Sequence, residues 1–222
     1  MSSHTVRRYY SRDRDELLAL AAYAADGSPT ESLWGDPVSE AAVYLMPYLD
    51  QEPESTFVAE LDGALVGYIV GSLGRGAVGQ GAVASEDDRL IRAITEHRVY
   101  LRPRALPFFA RSARDGLVTA LRREPRAGEI DDARWPAHLH INVAAPARGT
   151  GLADGLMAAF QTHVRDAGVA GAYLQTLVEN ERAVRFFGRM GFRAYGETPR
   201  VPGLRYRGAR VRQQTMVWSA RE

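Results

Sequence analysis

A chain of 222 residues, 45% of them hydrophobic, can bury a core, and 28 basic against 27 acidic residues leave a net charge of +1 that gives no support to a nucleic-acid surface. There is no cysteine, which excludes disulfides, thiolate metal sites and a cysteine nucleophile. All 28 basic residues are arginine, which excludes acetylation of the chain's own lysines. No run of eighteen apolar residues exists to span a membrane, and the polar start Met1–Asp13 lacks the apolar stretch of a secretory signal, so the expected location is cytoplasmic with no membrane partner.

Thr5 to Tyr10 reads as a first strand and Asp15 to Tyr23 as a short helix, stopped by Asp26-Gly27-Ser28-Pro29. Ser39 to Leu49 reads as a second helix. The acidic residues Asp50, Glu52 and Glu54 follow. They would attract a cationic amine or serve as a distant base, or else form a solvated loop. Thr56 to Leu61 and Ala64 to Leu73 are β-rich runs divided by Asp62-Gly63, a compact hairpin signal.

Residues 74 to 134 come next: Gly74 to Gly81 reads as flexible, Asp87 to Tyr100 as helical and Phe108 to Arg122 as helical again. A connection of this length with its own helices is usually functional or interfacial, so the segment covers an acceptor site or builds a homodimer contact; the first is favoured. No linker-like boundary closes it off, and residues 1–222 are expected to form one domain.

Downstream, strand His138 to Val143, helix Gly151 to Ala167, strand Ala172 to Val178 and helix Glu181 to Met190 form a β-α-β-α unit. Leu152, Leu156, Phe160 and Val164 give the first of these helices an apolar stripe. Asn180 is a good N-cap and Gly191 is placed to end the second. Phe192 to Thr198 and Arg210 to Ser219 supply two last strands. His138, His140 and Asn142 alternate onto one face of their strand, opposite Leu139, Ile141 and Val143. Two histidines at that spacing lack an evident third ligand, so no metal site is expected.

Between strand and helix lies Ala147-Arg148-Gly149-Thr150-Gly151-Leu152-Ala153. Glycines 149 and 151 remove the Cβ atoms that would keep a ligand from the backbone, and the helix start contributes unpaired N–H groups and the positive end of its dipole. Such a turn binds phosphate without a lysine; a plain tight loop is the alternative.

Together with Asn180-Glu181-Arg182-Ala183-Val184-Arg185-Phe186-Phe187-Gly188-Arg189-Met190-Gly191-Phe192, this turn resembles the GNAT-type N-acetyltransferases. Arg148, Gly151 and Ala153 match one family motif, and Asn180, Ala183, Phe186, Gly191 and Phe192 match the second. The resemblance covers roughly residues 56 to 73 and 136 to 219. Pro47-Tyr48-Leu49, Glu52-Pro53-Glu54 and Trp135-Pro136-Ala137-His138-Leu139-His140-Ile141 look closest to the acetyltransferase-like domain of the animal O-linked N-acetylglucosamine hydrolase and its free-standing bacterial relatives.

The resemblance implies a mixed α+β fold of the α/β type. Its sheet would have about seven strands flanked by helices, with residues 74–134 as a helical insertion between strands three and four. It implies acetyl-coenzyme A as acyl donor, held by Val143, Arg148, Gly149, Thr150, Gly151, Leu152, Ala153, Asn180 and Phe187, and a small-molecule primary amine as acceptor. The fourth and fifth strands would splay to admit the pantetheine arm. His140 is the candidate base, with a half-buried structural histidine as the alternative, and Asn142 would orient a water or substrate. Relatives commonly carry tyrosine at the position of Phe187 to protonate the departing sulfur; Tyr173 and Tyr195 are substitutes by proximity in sequence. A non-catalytic acyl-coenzyme A sensor or interaction module is the rival reading, favoured by Phe187 and Asn142.

Overall fold

The computed structural model describes residues 3–24, 37–74, 86–103 and 105–221. Strand β1 (His4–Arg8) leads through helix α1 (Arg14–Ala24), α2 (Pro37–Tyr44) and α3 (Met46–Gln51) to the hairpin β2 (Phe57–Leu61) and β3 (Ala64–Ser72). Then come α4 (Glu86–Glu96), α5 (Leu106–Arg122), β4 (Ala137–Val143), α6 (Leu152–Asp166), β5 (Gly171–Leu177) and α7 (Glu181–Arg189). The chain closes with β6 (Arg193–Tyr195), β7 (Arg200–Tyr206) and β8 (Ala209–Ser219). The Asp26–Pro29 helix stop and most of the Gly74–Gly81 stretch lie outside the described residues.

The strands form one mixed sheet in the order β1-β2-β3-β4-β5-β8-β6, with β7 paired to β8. The expected count of about seven becomes eight among the described residues, because β7 escapes sequence reading. Pro202 and Gly203 sit inside it, and both residues argue against a strand until a partner is known. Its partner is β8, joined through Arg207-Gly208 with both residues at positive φ, as Asp62-Gly63 joins β2 to β3. A second correction falls on Ser39–Leu49, which is two helices broken at Leu45 (φ −129°, ψ −56°). Pro47 in the first turn of α3 has no N–H to continue the α2 ladder.

Helices α6 and α7 cover one face of the sheet. Leu152, Leu156, Phe160 and Val164 are buried there against Phe57, Ile69, Leu139 and Leu174, as the apolar stripe of α6 requires. Gly71 lets that helix sit close, since a Cβ on it would collide with the Phe160 ring and the His138 carbonyl. The other face carries α1 and α3, whose Leu17, Leu20, Tyr48 and Leu49 pack on Val58, Tyr68 and Val70. The insertion does lie between β3 and β4. Ala93, Val99 and Ala105 pack with Val43 and Tyr44 of α2, while α5 lies along β7.

The β4–β5 pair decides where a ligand can enter. It is the parallel pair of the sheet, and its register holds only for Ala137 with Ala172 and His138 with Tyr173. Beyond His138 the strands separate, while β4 keeps its full pairing with β3 as far as Val143.

Candidate active site

A cavity of about 990 Å³ occupies that gap and reaches both faces of the sheet. On the α6–α7 face its walls include Gly149, Gly151, Ala153, Ala183 and Phe187; on the other they include Ala21, Tyr44, Leu45, Tyr68 and His140. Two sheet faces that are otherwise sealed by helices therefore communicate through the splay.

At the α6 end, the chain leaves β4 through a short 3-10 turn, Ala145–Ala147, and reaches the helix with Gly149 at φ +82° and Gly151 at φ +85°. Both values belong to the left-handed region where a side chain is strained. A Cβ on either glycine would meet no atom within 4 Å, so the space over this backbone is open for a ligand. Arg148, Arg182 and Arg189 line the same end. The arrangement joins backbone donors, a helix N-terminus and guanidinium groups, and it suits a pyrophosphate. Asn180 caps α7 by accepting from the Ala183 N–H at 3.3 Å.

Of the expected donor-binding residues, Val143, Arg148, Gly149, Gly151, Ala153, Asn180 and Phe187 line the cavity. The side chains of Thr150 and Leu152 do not. The Thr150 hydroxyl donates to the Ala147 carbonyl at 2.7 Å, closing the turn, and Leu152 is a core residue. Only their backbone N–H groups remain available to a ligand. The Ala144 N–H donates to Val66 of β3 at 2.8 Å, so by the alternation of a strand the N–H groups of Ile141 and Val143 face the β5 side, into the gap. The Val143 carbonyl there accepts from Arg148 Nε at 3.2 Å, which ties the turn to the strand.

On the far face, His140 lies edge-on to Tyr44 (5.6 Å between ring centres), Tyr48 (5.5 Å) and His138 (4.6 Å). His138 is buried, with Nδ1 3.0 Å from the Tyr48 hydroxyl, and belongs to the packing. His140 and Asn142 both line the cavity, as expected of their shared face.

Sequence reading missed Tyr68. The β3–β4 register sets it directly across from Asn142, and Asn142 Nδ2 donates to its hydroxyl at 2.9 Å. That donor occupies an acceptor position, so the tyrosine's own hydrogen is left for another partner. Burial pushes its pKa up to about 12, so it holds its proton throughout the neutral range. Period-two alternation along β3 was the available signal, but the cross-strand pairing was not readable.

Three earlier expectations are corrected. Tyr173 does not reach the cavity; it stacks on His138 beside Trp135 and Val217. The Tyr195 hydroxyl lies at Arg134 (3.1 Å) and Asp132 (3.5 Å), also away from it. The acidic trio before β2 is not an amine trap, and it divides: Asp50 and Glu54 are exposed, as in a solvated loop, whereas Glu52 is buried. Glu52 is 2% exposed and accepts from the Ser72 hydroxyl (2.5 Å) and the Leu73 N–H (3.0 Å), while Asp50 pairs with Arg14 at 2.7 Å. None of the three lines the cavity. Among the described residues, no group of three or more His, Asp or Glu side chains is placed to hold a metal.

A profile of the Acetyltransferase (GNAT) family matches residues 20–192, most of the chain and all of the cavity's cradle. The chain belongs to the GNAT family of acetyltransferases. Acetyl-coenzyme A is the cosubstrate of that family, and the open glycine turn and the gap beside β4 fit its pyrophosphate and its narrow arm. Solved structures share the fold across nearly the whole length. A protein named SsHAT is 23% identical with a TM-score of 0.59, covering 99% of this chain and 100% of its own. The yncA protein of Salmonella typhimurium, solved with its cofactor acetyl-CoA, is 13% identical with a TM-score of 0.59, covering 98% and 94%. The ribosomal-protein-alanine N-acetyltransferase of Brucella melitensis is 17% identical with a TM-score of 0.56, covering 97% and 99%. No helix among the described residues is long and apolar enough to cross a membrane.

Proposed function

We propose that this GNAT acetyltransferase moves the acetyl group of acetyl-coenzyme A to the primary amine of a small molecule, by direct attack on the thioester. The observation that carries the reading is the continuity of the cavity through the β4–β5 splay. It joins the Gly149–Ala153 cradle on one face to His140, Asn142 and Tyr68 on the other.

The bound donor supplies an activated acetyl thioester. The chain's part is to hold it and manage protons. Backbone N–H groups from Gly149 to Ala153, with Arg148, hold the diphosphate; Asn180 and Phe187 wall the arm. The N–H groups of Ile141 and Val143 face the gap, where such a donor stabilises negative charge developing on the acyl oxygen. His140 takes the proton from the attacking amine, directly or through water. Phe187 has no hydroxyl, and Tyr68 stands in for it: its proton goes to the departing sulfur as the C–S bond breaks, and the proton released by the amine restores it. Asn142 acts by orienting Tyr68.

A small acceptor is supported by the shape of the far side, an aromatic-walled recess beneath α1 and α2. The described helices of the 74–134 insertion, α4 and α5, pack on α2 and on β7, both of which contribute walls (Tyr44, Val201, Leu204), so the insertion braces the acceptor side from behind. The sequence phrases around Pro47 and Trp135 place the chain, in our reading, beside the free-standing bacterial relatives of the hydrolase-linked domain.

The test is a titration with acetyl-coenzyme A followed by a panel of primary amines scored by thiol release. Micromolar binding with amine-dependent release supports transfer. Binding without release for any amine would instead support the sensor reading, and no binding would remove both.

A further inference from the structure

A second concavity lies away from the cavity, between α5 and the β7–β8 hairpin. It is an open groove of about 550 Å³ walled by Arg114, Val118 and Arg122 of α5 and by Arg200, Arg210 and Arg212 of the hairpin. Spacing of four residues puts the three α5 positions on one stripe. Arg200 pairs directly with Arg212 across the ladder, and Arg210, two residues along β8, shares that face. Like charges set opposite one another in a ladder are destabilising, so packing alone does not reward this arrangement.

The groove is held from beneath. Asp115 is 2% exposed and accepts from Arg210 (2.5 Å), Arg205 (2.7 Å) and the Gly203 N–H (3.1 Å). Glu124 receives Arg200 at 3.1 Å and lies 3.8 Å from Arg122, and Glu179 lies 3.6 Å from Arg212 Nε. Each carboxylate engages part of a guanidinium that has five N–H donors, fixing the arginine while leaving donors over. Arg114 has no acidic partner among the described residues. Six guanidinium groups, counting Arg205, face three carboxylates, a surplus of three positive charges.

We propose that this groove binds a compact, multiply charged phosphate anion, of the phosphomonoester or pyrophosphate class, at a site separate from the acetyl-donor cradle. The fork of a guanidinium matches tetrahedral phosphate oxygens bidentately, and a di- or trianion balances the surplus charge. Carboxylate ligands of single charge leave most of it unbalanced. The groove shares only the β7–β8 hairpin with the cavity: Arg200, Arg210 and Arg212 face the groove, while Val201, Leu204 and Gln213 line the cavity.

The probe is inorganic pyrophosphate, titrated calorimetrically at constant ionic strength set with sodium chloride. Because pyrophosphate also fits the cradle, the titration is run on wild type with saturating coenzyme A and, independently, on Gly151→Val. One site per chain persists in both. It weakens tenfold or more in the Arg114→Gln/Arg122→Gln variant, whose exposed side chains leave the melting temperature within a few degrees of wild type. Repeating the titration with adenosine monophosphate separates a phosphate-only site from one that also holds an attached nucleoside. Tighter or equal binding supports the phosphomonoester class, and binding of pyrophosphate alone supports the pyrophosphate class. Unchanged affinity in the folded double arginine variant overturns the proposal. So does loss of all pyrophosphate binding once the cradle is filled or blocked.

Discussion

Replacing Gly151 by valine separates the cost of folding from the cost of binding. The residue sits at φ +85° at the start of α6, and an added Cβ touches nothing within 4 Å. The penalty to the fold is therefore backbone strain alone, about 1–3 kcal/mol for a non-glycine residue held in that region. For a chain of this size that lowers the melting temperature by roughly 2–12 °C. The penalty to binding is separate, because the open space the new side chain enters is where a diphosphate would lie. Displacing it from two backbone N–H groups forfeits charge-assisted hydrogen bonds worth about 1.5–3 kcal/mol each. The sum, about 3–6 kcal/mol, is a loss of roughly 10²- to 10⁴-fold in affinity. Calorimetric titration with acetyl-coenzyme A, beside thermal melting, reads both numbers. A folded Gly151→Val protein that binds with wild-type affinity would falsify the cradle assignment.

Tyr68→Phe should lower kcat by about 10²-fold, the usual worth of a positioned proton donor, with donor affinity unchanged; a kcat within twofold of wild type returns the acid role to another group. Gly71→Ala forces a Cβ into the Phe160 ring and the His138 carbonyl, an overpacking that should cost about 1–3 kcal/mol in urea denaturation. Stability unchanged within 0.5 kcal/mol, on the order of measurement error, would mean α6 is not seated as described. Stability should also fall on acidification in two stages. His163 has its pKa lowered, by burial first and by Arg8 second, so below its ordinary 6.5 the unfolded chain binds the proton more readily and stability begins to drop. Asp13, held down by the Arg7 hydrogen bond, and Asp115, held down by Arg205 against the opposing effect of its burial, contribute stability above their ordinary 3.8 that is lost as pH falls through their lower folded values. Urea midpoints measured from pH 7 to pH 3 check this; a flat profile between pH 6.5 and 5 contradicts the part assigned to His163.

The features legible in the chain are those set within a few residues of one another. The apolar stripe of α6 lies on one helix, the Asn180 cap reaches three residues to Ala183, and the positive φ of Gly149 and Gly151 is a property of a turn. Alternation along β4 likewise placed His140 and Asn142 on one face. Local sterics and hydrogen bonding determine such features, so no partner need be known. Tertiary structure decided the rest, because each case turns on a partner far along the chain. Tyr68 meets Asn142 74 residues away, Glu52 is buried under Ser72, and β7 becomes a strand only beside β8. The splay after His138 and the arginines gathered between α5 and the hairpin follow from how whole elements register and pack. Sequence periodicity shows which face a side chain takes; only packing shows what that face meets.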